Sequence, residues 1–199
     1  LQAFVQNLRY SFLYQEQDGG FFLQPPEELL ENPDISLASE ADLASGVAFF
    51  ACSLGKSLIT LNSSIWYNNA EETSIYRDEI QSFQTNIQQT LEYLKNKRSL
   101  LEMADQHAPN RLLFDALAFY TLGKYLNNDE ACEIGINFLN LSLHLIDETQ
   151  GYFIEGGGWD SSYNGVALKL GLEMYSILPN SEYKKIKCYK LIRAMEWQR

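Results

Sequence analysis

The chain has 199 residues and a mass of 22.8 kDa, which is enough for one domain with a substantial buried core. A hydrophobic share of 46% beside 21% charged residues is ordinary globular composition and excludes intrinsic disorder. The formal net charge of −11 produces a negative field that repels phosphate backbones and anionic lipids, so neither nucleic acid nor a membrane is an expected partner.

The first half of the chain has the pattern of helices separated by loops. A first helix is followed by an irregular loop, rich in glycine and proline, that ends at Ser36. Apolar residues spaced by three and four then predict an amphipathic helix over residues 37–61, capped near Ser36 or Ser39. The same spacing predicts one helix over residues 75–94.

The second half repeats this pattern. Helices are predicted over residues 113–126, 134–145, 163–178 and 182–197, which makes about seven in the chain. Pro109 fixes the break before the first of them. No stretch shows sustained alternation of apolar and polar residues, so no sheet is expected. The predicted fold is therefore all-α and built from antiparallel helical hairpins.

Three of these helices contain a Leu-Gly step, at Gly55, Gly123 and Gly171. A glycine inside a helix costs up to about 1 kcal/mol relative to alanine, so its repeated use predicts that a neighbouring helix approaches closely there. Two loops echo each other as well, since Gly20-Phe21-Phe22 resembles Gly151-Tyr152-Phe153. Hairpins stacked side by side bring the loops at one end to a common face, where ligands bind.

The stretch from Gly151 to Leu168, GYFIEGGGWDSSYNGVAL, resembles the glycine-aromatic loop that leads into an inner helix of the α/α-toroid carbohydrate-active enzymes, especially the polysaccharide lyases. In those lyases a Tyr-x-Gly step follows the loop, as Tyr163-Asn164-Gly165 does in this chain. The resemblance implies a proton-transfer role for Tyr163 and neutralisation of a substrate carboxylate by Asn110 and Arg111. Together with the chain length and the hairpin pattern, it predicts one domain over residues 1–199 that forms an incomplete α/α toroid or a short superhelix.

The residues themselves indicate glycan chemistry. Glu155 and Asp160 flank a triple glycine, and glycoside hydrolysis requires two carboxyl groups about 5–10 Å apart. Tyr152 and Trp159 supply flat apolar faces of the kind that stack on sugar rings. Asp42 joins this group as a substrate-binding candidate if the helices converge, and so do Glu40 and Asp115. The sequence thus predicts a glycoside hydrolase or a polysaccharide lyase-like enzyme.

A structural interpretation of the same residues stays open. Asp160 is then the cap of a helix beginning near Ser161, Glu155 is solvated, and Tyr152 and Trp159 fill the interface of a hairpin. The alternative function is a non-catalytic helical scaffold that binds a protein partner.

No cofactor and no metal are expected. Histidines at metal-ligand spacing are absent from the sequence, and so are the glycine-rich nucleotide-binding motifs. The three cysteines, Cys52, Cys132 and Cys188, are predicted to be buried free thiols, which leaves the compartment open. Six basic and two acidic residues over 182–199 give a local charge of +4. This helix either docks on its own domain or on a partner, or presents a solvated face whose cations stabilise its C-terminal end, and the second interpretation is preferred.

Overall fold

The structure, a computed structural model, describes residues 1–21, 38–179 and 182–198. In those ranges the chain forms nine α-helices: α1 (Gln2–Leu13), α2 (Glu40–Ser63), α3 (Ile65–Asn69), α4 (Ser74–Ser82), α5 (Gln84–Asp105), α6 (Pro109–Leu126), α7 (Asp129–His144), α8 (Ser161–Ile177) and α9 (Glu182–Gln198). A 3-10 turn covers Glu71–Thr73, and the strands β1 (Ile154–Glu155) and β2 (Gly158–Trp159) form an antiparallel hairpin. The prediction of an all-α chain is confirmed.

Short elements account for the differences from the prediction. The predicted helix over 75–94 is two helices, α4 and α5, broken at Phe83. The Phe83 ring packs against Phe12 at a centroid distance of 5.3 Å, so the apolar spacing continues through the break and conceals it. Helix α3 and the two-residue strands are too short to show a hydrophobic period, so the sequence pattern does not reveal them. The expectation of no sheet is wrong, because the two strands pair. The predicted loop ending at Ser36 lies largely outside the described residues.

Polar residues and proline fix where helices begin. Ser39 caps α2 in a capping box, because its side chain accepts from the Asp42 backbone N–H while the Asp42 carboxylate accepts from the Ser39 backbone N–H. This cap starts α2 at Glu40 and decides between the two predicted caps in favour of Ser39. Pro109 occupies the first position of α6, where its missing N–H is not needed.

Helices α2, α6 and α8 run in the same direction and are called the parallel set below. Near the start of α2 and α6, the rings of Phe49 and Phe114 lie 4.5 Å apart, and further along both helices Gly55 packs on Thr121. Helix α8 also packs on α6. At the far end of the set, Lys56 of α2 and Glu173 of α8 form an ion pair of 2.6 Å.

This ion pair joins the two helices that both pack on α6, since Lys56 belongs to α2 and Glu173 to α8. Whether the helices form part of a toroid or of a superhelix stays a prediction.

Each later member of the parallel set has an antiparallel partner. Ser142 near the end of α7 bonds to the Pro109 carbonyl oxygen at the start of α6, at 3.0 Å. Asn164 at the start of α8 bonds to Gln198 at the end of α9, at 2.6 Å. The predicted antiparallel hairpins are therefore present.

Glycine allows neighbouring helices to approach one another closely, as the Leu-Gly steps predict. A Cβ at Gly55 would lie 2.0 Å from Thr121 Oγ1, and one at Gly171 would lie 2.7 Å from Leu191 Cδ2. A Cβ at Gly123 would lie 2.9 Å from the Cys132 backbone nitrogen. The same holds at Gly135 of α7, which the sequence pattern does not single out, because a Cβ there would lie 2.7 Å from the Ala116 carbonyl oxygen.

The two echoing loops also share a structure. Each follows a helix and is closed by an isolated antiparallel bridge, Gln15 to Phe21 in the first loop and Ile146 to Phe153 in the second. Each contains a glycine in the left-handed region, Gly19 with φ 92° and Gly151 with φ 90°, which a side chain would strain. The two loops thus share the same local fold.

The basic helix α9 docks on its own domain. Lys190 donates to the carbonyl oxygen of Leu143 at 3.0 Å, and Arg193 donates to that of Thr149 at 2.7 Å. Both carbonyls lie at or after the C-terminal turn of α7, where a cation is favourable. The interpretation of these two cations as part of a solvated face is therefore wrong.

Two further properties concern burial. Cys52 and Cys132 are buried thiols as predicted, whereas Cys188 is only half-buried.

Within the described ranges, α2 is the one helix that by length and composition is able to cross a membrane, and half of that stretch is buried inside the fold. A core helix of a globular domain has the same composition.

Gly55→Ala is expected to lower the free energy of unfolding by about 1–3 kcal/mol, because the added methyl group overlaps Thr121 and forces α2 away from α6. Gly46→Ala is the matched control in the same helix, since a Cβ there meets nothing within 4 Å. It should raise stability by up to about 1 kcal/mol through helix propensity. Urea unfolding followed by circular dichroism measures both changes. Equal stability of the two variants would contradict the close contact.

Candidate functional site

The N-terminal end of the parallel set meets the β-hairpin at one place, which we call the mouth. Its polar groups are Asp42 and Ser45 of α2, Asp105 at the end of α5, Arg111 and Asp115 of α6, and Glu155 of the hairpin. The predicted residue Asn110 precedes Arg111 on α6, and its buried Oδ1 has no hydrogen-bond partner among the described residues. Ser45 donates to Asp105 Oδ2 at 3.2 Å, and Arg111 donates to Asp105 Oδ1 at 3.3 Å. The Gly156 N–H donates to the carbonyl oxygen of His107 at 3.0 Å, which fastens the hairpin tip to the loop between α5 and α6.

Arg111 is the central charge of the mouth. Its side chain is 44% exposed, while its partner Asp105 is fully buried. Hydrogen bonds from Ser39 lower the pKa of Asp42, and the Arg111 charge lowers it further. The same charge acts on the pKa of Glu155, so α2, α6 and the hairpin all lie within electrostatic range of one guanidinium.

The triple glycine forms the turn of the hairpin. Glu155 pairs with Gly158 across the ladder, which leaves Gly156 and Gly157 as a two-residue loop. Both have positive φ, 57° and 89°, as a type I′ turn requires at its two central positions. The glycines are therefore explained by the turn, and their effect is to present Glu155 to the mouth.

Glu155 is only half-buried, but one of its oxygens is fully enclosed. Oε2 has no contact with solvent and no hydrogen-bond partner among the described residues. Burial raises the pKa of Glu155; the Arg111 charge opposes this rise and the Asp160 charge adds to it. The interpretation of Glu155 as a solvated side chain is thus wrong, and its carboxyl group retains a proton more readily than that of an ordinary glutamate.

Behind Arg111 lies a buried pair of carboxyl groups, Asp105 and Asp115. Asp115 is 1% exposed, and its Oδ2 has no hydrogen-bond partner among the described residues. Burial raises the pKa of Asp115 well above its ordinary value, and the negative charge of Asp105 and a hydrogen bond to it add to the rise. The Arg111 charge opposes this rise, and the net effect is that Asp115 retains a proton more readily than an ordinary aspartate.

The predicted residues Asp42 and Asp160 both cap helices. Asp42 belongs to the cap of α2, and Asp160 Oδ1 accepts from the backbone N–H groups of Ser162 and Tyr163 at the start of α8, at 2.8 and 3.0 Å. The interpretation of Asp160 as a cap is confirmed. Capping uses one oxygen of each carboxylate, so the second remains for a ligand. Tyr163 itself is 48% exposed on the first turn of α8.

Three aromatic rings stand beside the hairpin. The Trp197 ring of α9 lies 5.2 Å from that of Tyr152 and 6.2 Å from that of Trp159. Trp159 is 68% exposed, so it does not fill a hairpin interface as the structural interpretation expects. It offers an indole face to solvent close to the strand that holds Glu155.

Two open grooves lie elsewhere. One of about 580 Å³ follows α8 past Leu168 and Leu172 to Gln198 of α9, and one of about 500 Å³ lies between Phe4 of α1 and Trp66 of α3. Neither is lined by Glu155 or Arg111. Both grooves are thus separate from these two charged residues of the mouth.

Two residues of the mouth, Asp105 and Ser45, and the neighbouring Trp197 are not predicted from the sequence. Asp105 extends the apolar stripe of α5, four residues after Leu101, and this position was a signal that it faces inward. Ser45 and Trp197 carry no comparable signal. In the described part of the chain, no three His, Cys, Asp or Glu side chains are grouped to hold a metal ion.

The stability of the protein is expected to fall as pH rises above about 4, the ordinary range of a carboxyl, towards the raised pKa of Asp115. In this window the folded state keeps a proton that the unfolded state has released, so higher pH favours unfolding. Asp115→Asn retains a neutral donor towards Asp105 and has no proton to lose. We therefore expect a flatter profile and greater stability near neutral pH.

Urea unfolding between about pH 4 and about pH 8 measures both profiles. Asp78→Asn, an exposed change on α4, is the control and should keep the native slope. An Asp115→Asn variant with the native slope, or with lower stability at neutral pH, would contradict the raised pKa of Asp115.

No family model, curated protein or solved structure matches the chain. The resemblance of residues 151–168 to the α/α-toroid enzymes accordingly stays a prediction.

Proposed function

We propose that the protein is a carbohydrate-active enzyme that performs acid–base chemistry, as a glycoside hydrolase or a lyase, on a glycan bound at the mouth. The observation that carries the proposal is the Glu155 carboxyl group, which is partly buried, has a raised pKa and lies within range of Arg111 and Asp160. A carboxyl group tuned in this way by its surroundings is characteristic of a general acid.

The hydrolytic reaction assigns a role to each carboxyl group. Glu155 donates its proton to the glycosidic oxygen as the bond from the sugar carbon to that oxygen breaks. The free oxygen of Asp160 accepts a proton from the water that adds to the same carbon. Because the Asp160 charge raises the pKa of Glu155, the two groups are suited to opposite protonation states.

The other predicted residues hold the sugar. Trp159 and Tyr152 stack on its apolar face, and the exposed Asp42 accepts hydrogen bonds from hydroxyl groups. Asn110 and Arg111 begin α6 and contact the ring being cleaved. In the lyase variant of the proposal Tyr163, exposed on the first turn of α8, transfers the proton.

A second candidate is a non-catalytic scaffold that binds a protein partner. The groove along α8 supports it, because Leu172 is 38% exposed beside it and the groove is separate from the mouth. This candidate requires that a charged residue at Leu172 abolishes association and that no glycan is cleaved.

A panel of neutral and uronate-containing oligosaccharides tests the enzymatic proposal. For any glycan that is cleaved, Glu155→Gln should lower kcat by at least about 100-fold, because the amide has no proton to donate. Glu148→Gln, an exposed change in the preceding loop, is the matched control and should leave kcat within about twofold. If Glu155→Gln still cleaves the glycan at the native rate, Glu155 is not the acid. If the native protein neither binds nor cleaves any glycan of the panel, the enzymatic proposal is rejected.

A further inference from the structure

Asn164, on the first turn of α8, joins two separate elements through its side chain. It is 1% exposed. Its Oδ1 accepts from the Phe153 backbone N–H at 2.9 Å, directly before the hairpin, and its Nδ2 donates to Gln198 Oε1 at 2.6 Å, in the last turn of α9. An amide supplies an acceptor and a donor from one planar group, which a hydroxyl or a carboxylate does not do in the same geometry.

The Phe153 bond is one of several that hold the hairpin and the residues leading into it, and two others involve the hairpin itself. The Ile154 N–H donates to the carbonyl oxygen of Leu145 at 2.8 Å, and the Gly156 N–H at the tip donates to that of His107 at 3.0 Å. These two bonds are made by the backbone alone. Asn164 is thus the described side chain that fastens this strand, and Glu155 lies two residues after the bond.

The end of α9 covers the loop that leads to the hairpin. Arg193 donates to the carbonyl oxygens of Glu148 and Thr149. A Cβ at Gly151 would lie 3.0 Å from the Arg193 carbonyl oxygen, so helix and loop are in direct contact. The bond from Asn164 to Gln198 ties α8 to this covering helix.

We infer that Asn164 is the positioning residue of the mouth: it holds the hairpin that carries Glu155 and couples that hairpin to α9. The inference rests on the proposed function, in which Glu155 is the acid. It assigns to α9, which contains no predicted site residue, the task of keeping the hairpin against the mouth.

The experiment follows the titration of Glu155 itself, so it needs no substrate. The protein is labelled at the glutamate side-chain carboxyl carbons with ¹³C, and the Glu155 signal is assigned by its loss in Glu155→Gln. Asn164→Ala should release the hairpin and expose the carboxyl group, so that its pKa falls towards that of an ordinary glutamate. Gln198→Ala removes only the α9 bond and should give a smaller fall.

Thr90→Val is the matched control, because Thr90 is buried and accepts from Gln15 beside the echoing first loop, at 2.9 Å. It should lower stability while the titration of Glu155 is unchanged. If Asn164→Ala does not fold, Gln198→Ala decides. A native titration of Glu155 in the folded variants, or an equal shift in Thr90→Val, would overturn the inference.

On a glycan that the native protein cleaves, Asn164→Ala should lower kcat by about tenfold or more with KM less affected, because the acid is misplaced while the stacking rings remain. If the native protein cleaves no glycan, the proposed function is rejected. The titration of Glu155 still tests whether Asn164 positions the hairpin.

Discussion

The close contact of α6 with its neighbours is the constraint on which the rest of the structure depends. Gly55 allows α2 to pack on Thr121 of α6, and Gly135 of α7 packs on the α6 backbone at Ala116. A β-carbon at either glycine would overlap α6, so these helices approach one another only with glycine at these positions. With the helices in register, Arg111 at the start of α6 reaches Asp105, which Ser45 of α2 also contacts.

The same packing encloses polar groups that an ordinary core does not contain. Residues 115–123 of α6 are all buried, and they begin with Asp115. A buried carboxyl group without a full set of partners lowers stability unless it is neutral or paired. The retention of this buried pair therefore places a destabilising feature next to Arg111, the central charge of the mouth. Such features are concentrated at functional sites, where local stability is sacrificed for chemistry.

Properties that depend on local sequence were predictable. The Leu-Gly steps identify close helix contacts because a helical glycine is costly wherever nothing requires it. Asp160 was recognisable as a cap from its place before a helical pattern. By contrast, the burial of Glu155 depends on a bond from Gly156 to the distant His107, and the position of Asn164 depends on Gln198. No periodicity or motif encodes these long-range contacts.

The central claim is that α2, α6 and the hairpin converge around one guanidinium. Its most direct test is the carboxyl titration of Asp42 and Glu155 in Arg111→Gln, with Arg98→Gln as the control because Arg98 pairs with Glu102 on α5. Since the Arg111 charge lowers the pKa of both carboxyl groups, both values should rise together in Arg111→Gln and neither should move in the control. If either carboxyl group titrates as in the native protein after Arg111 is removed, the convergence is contradicted.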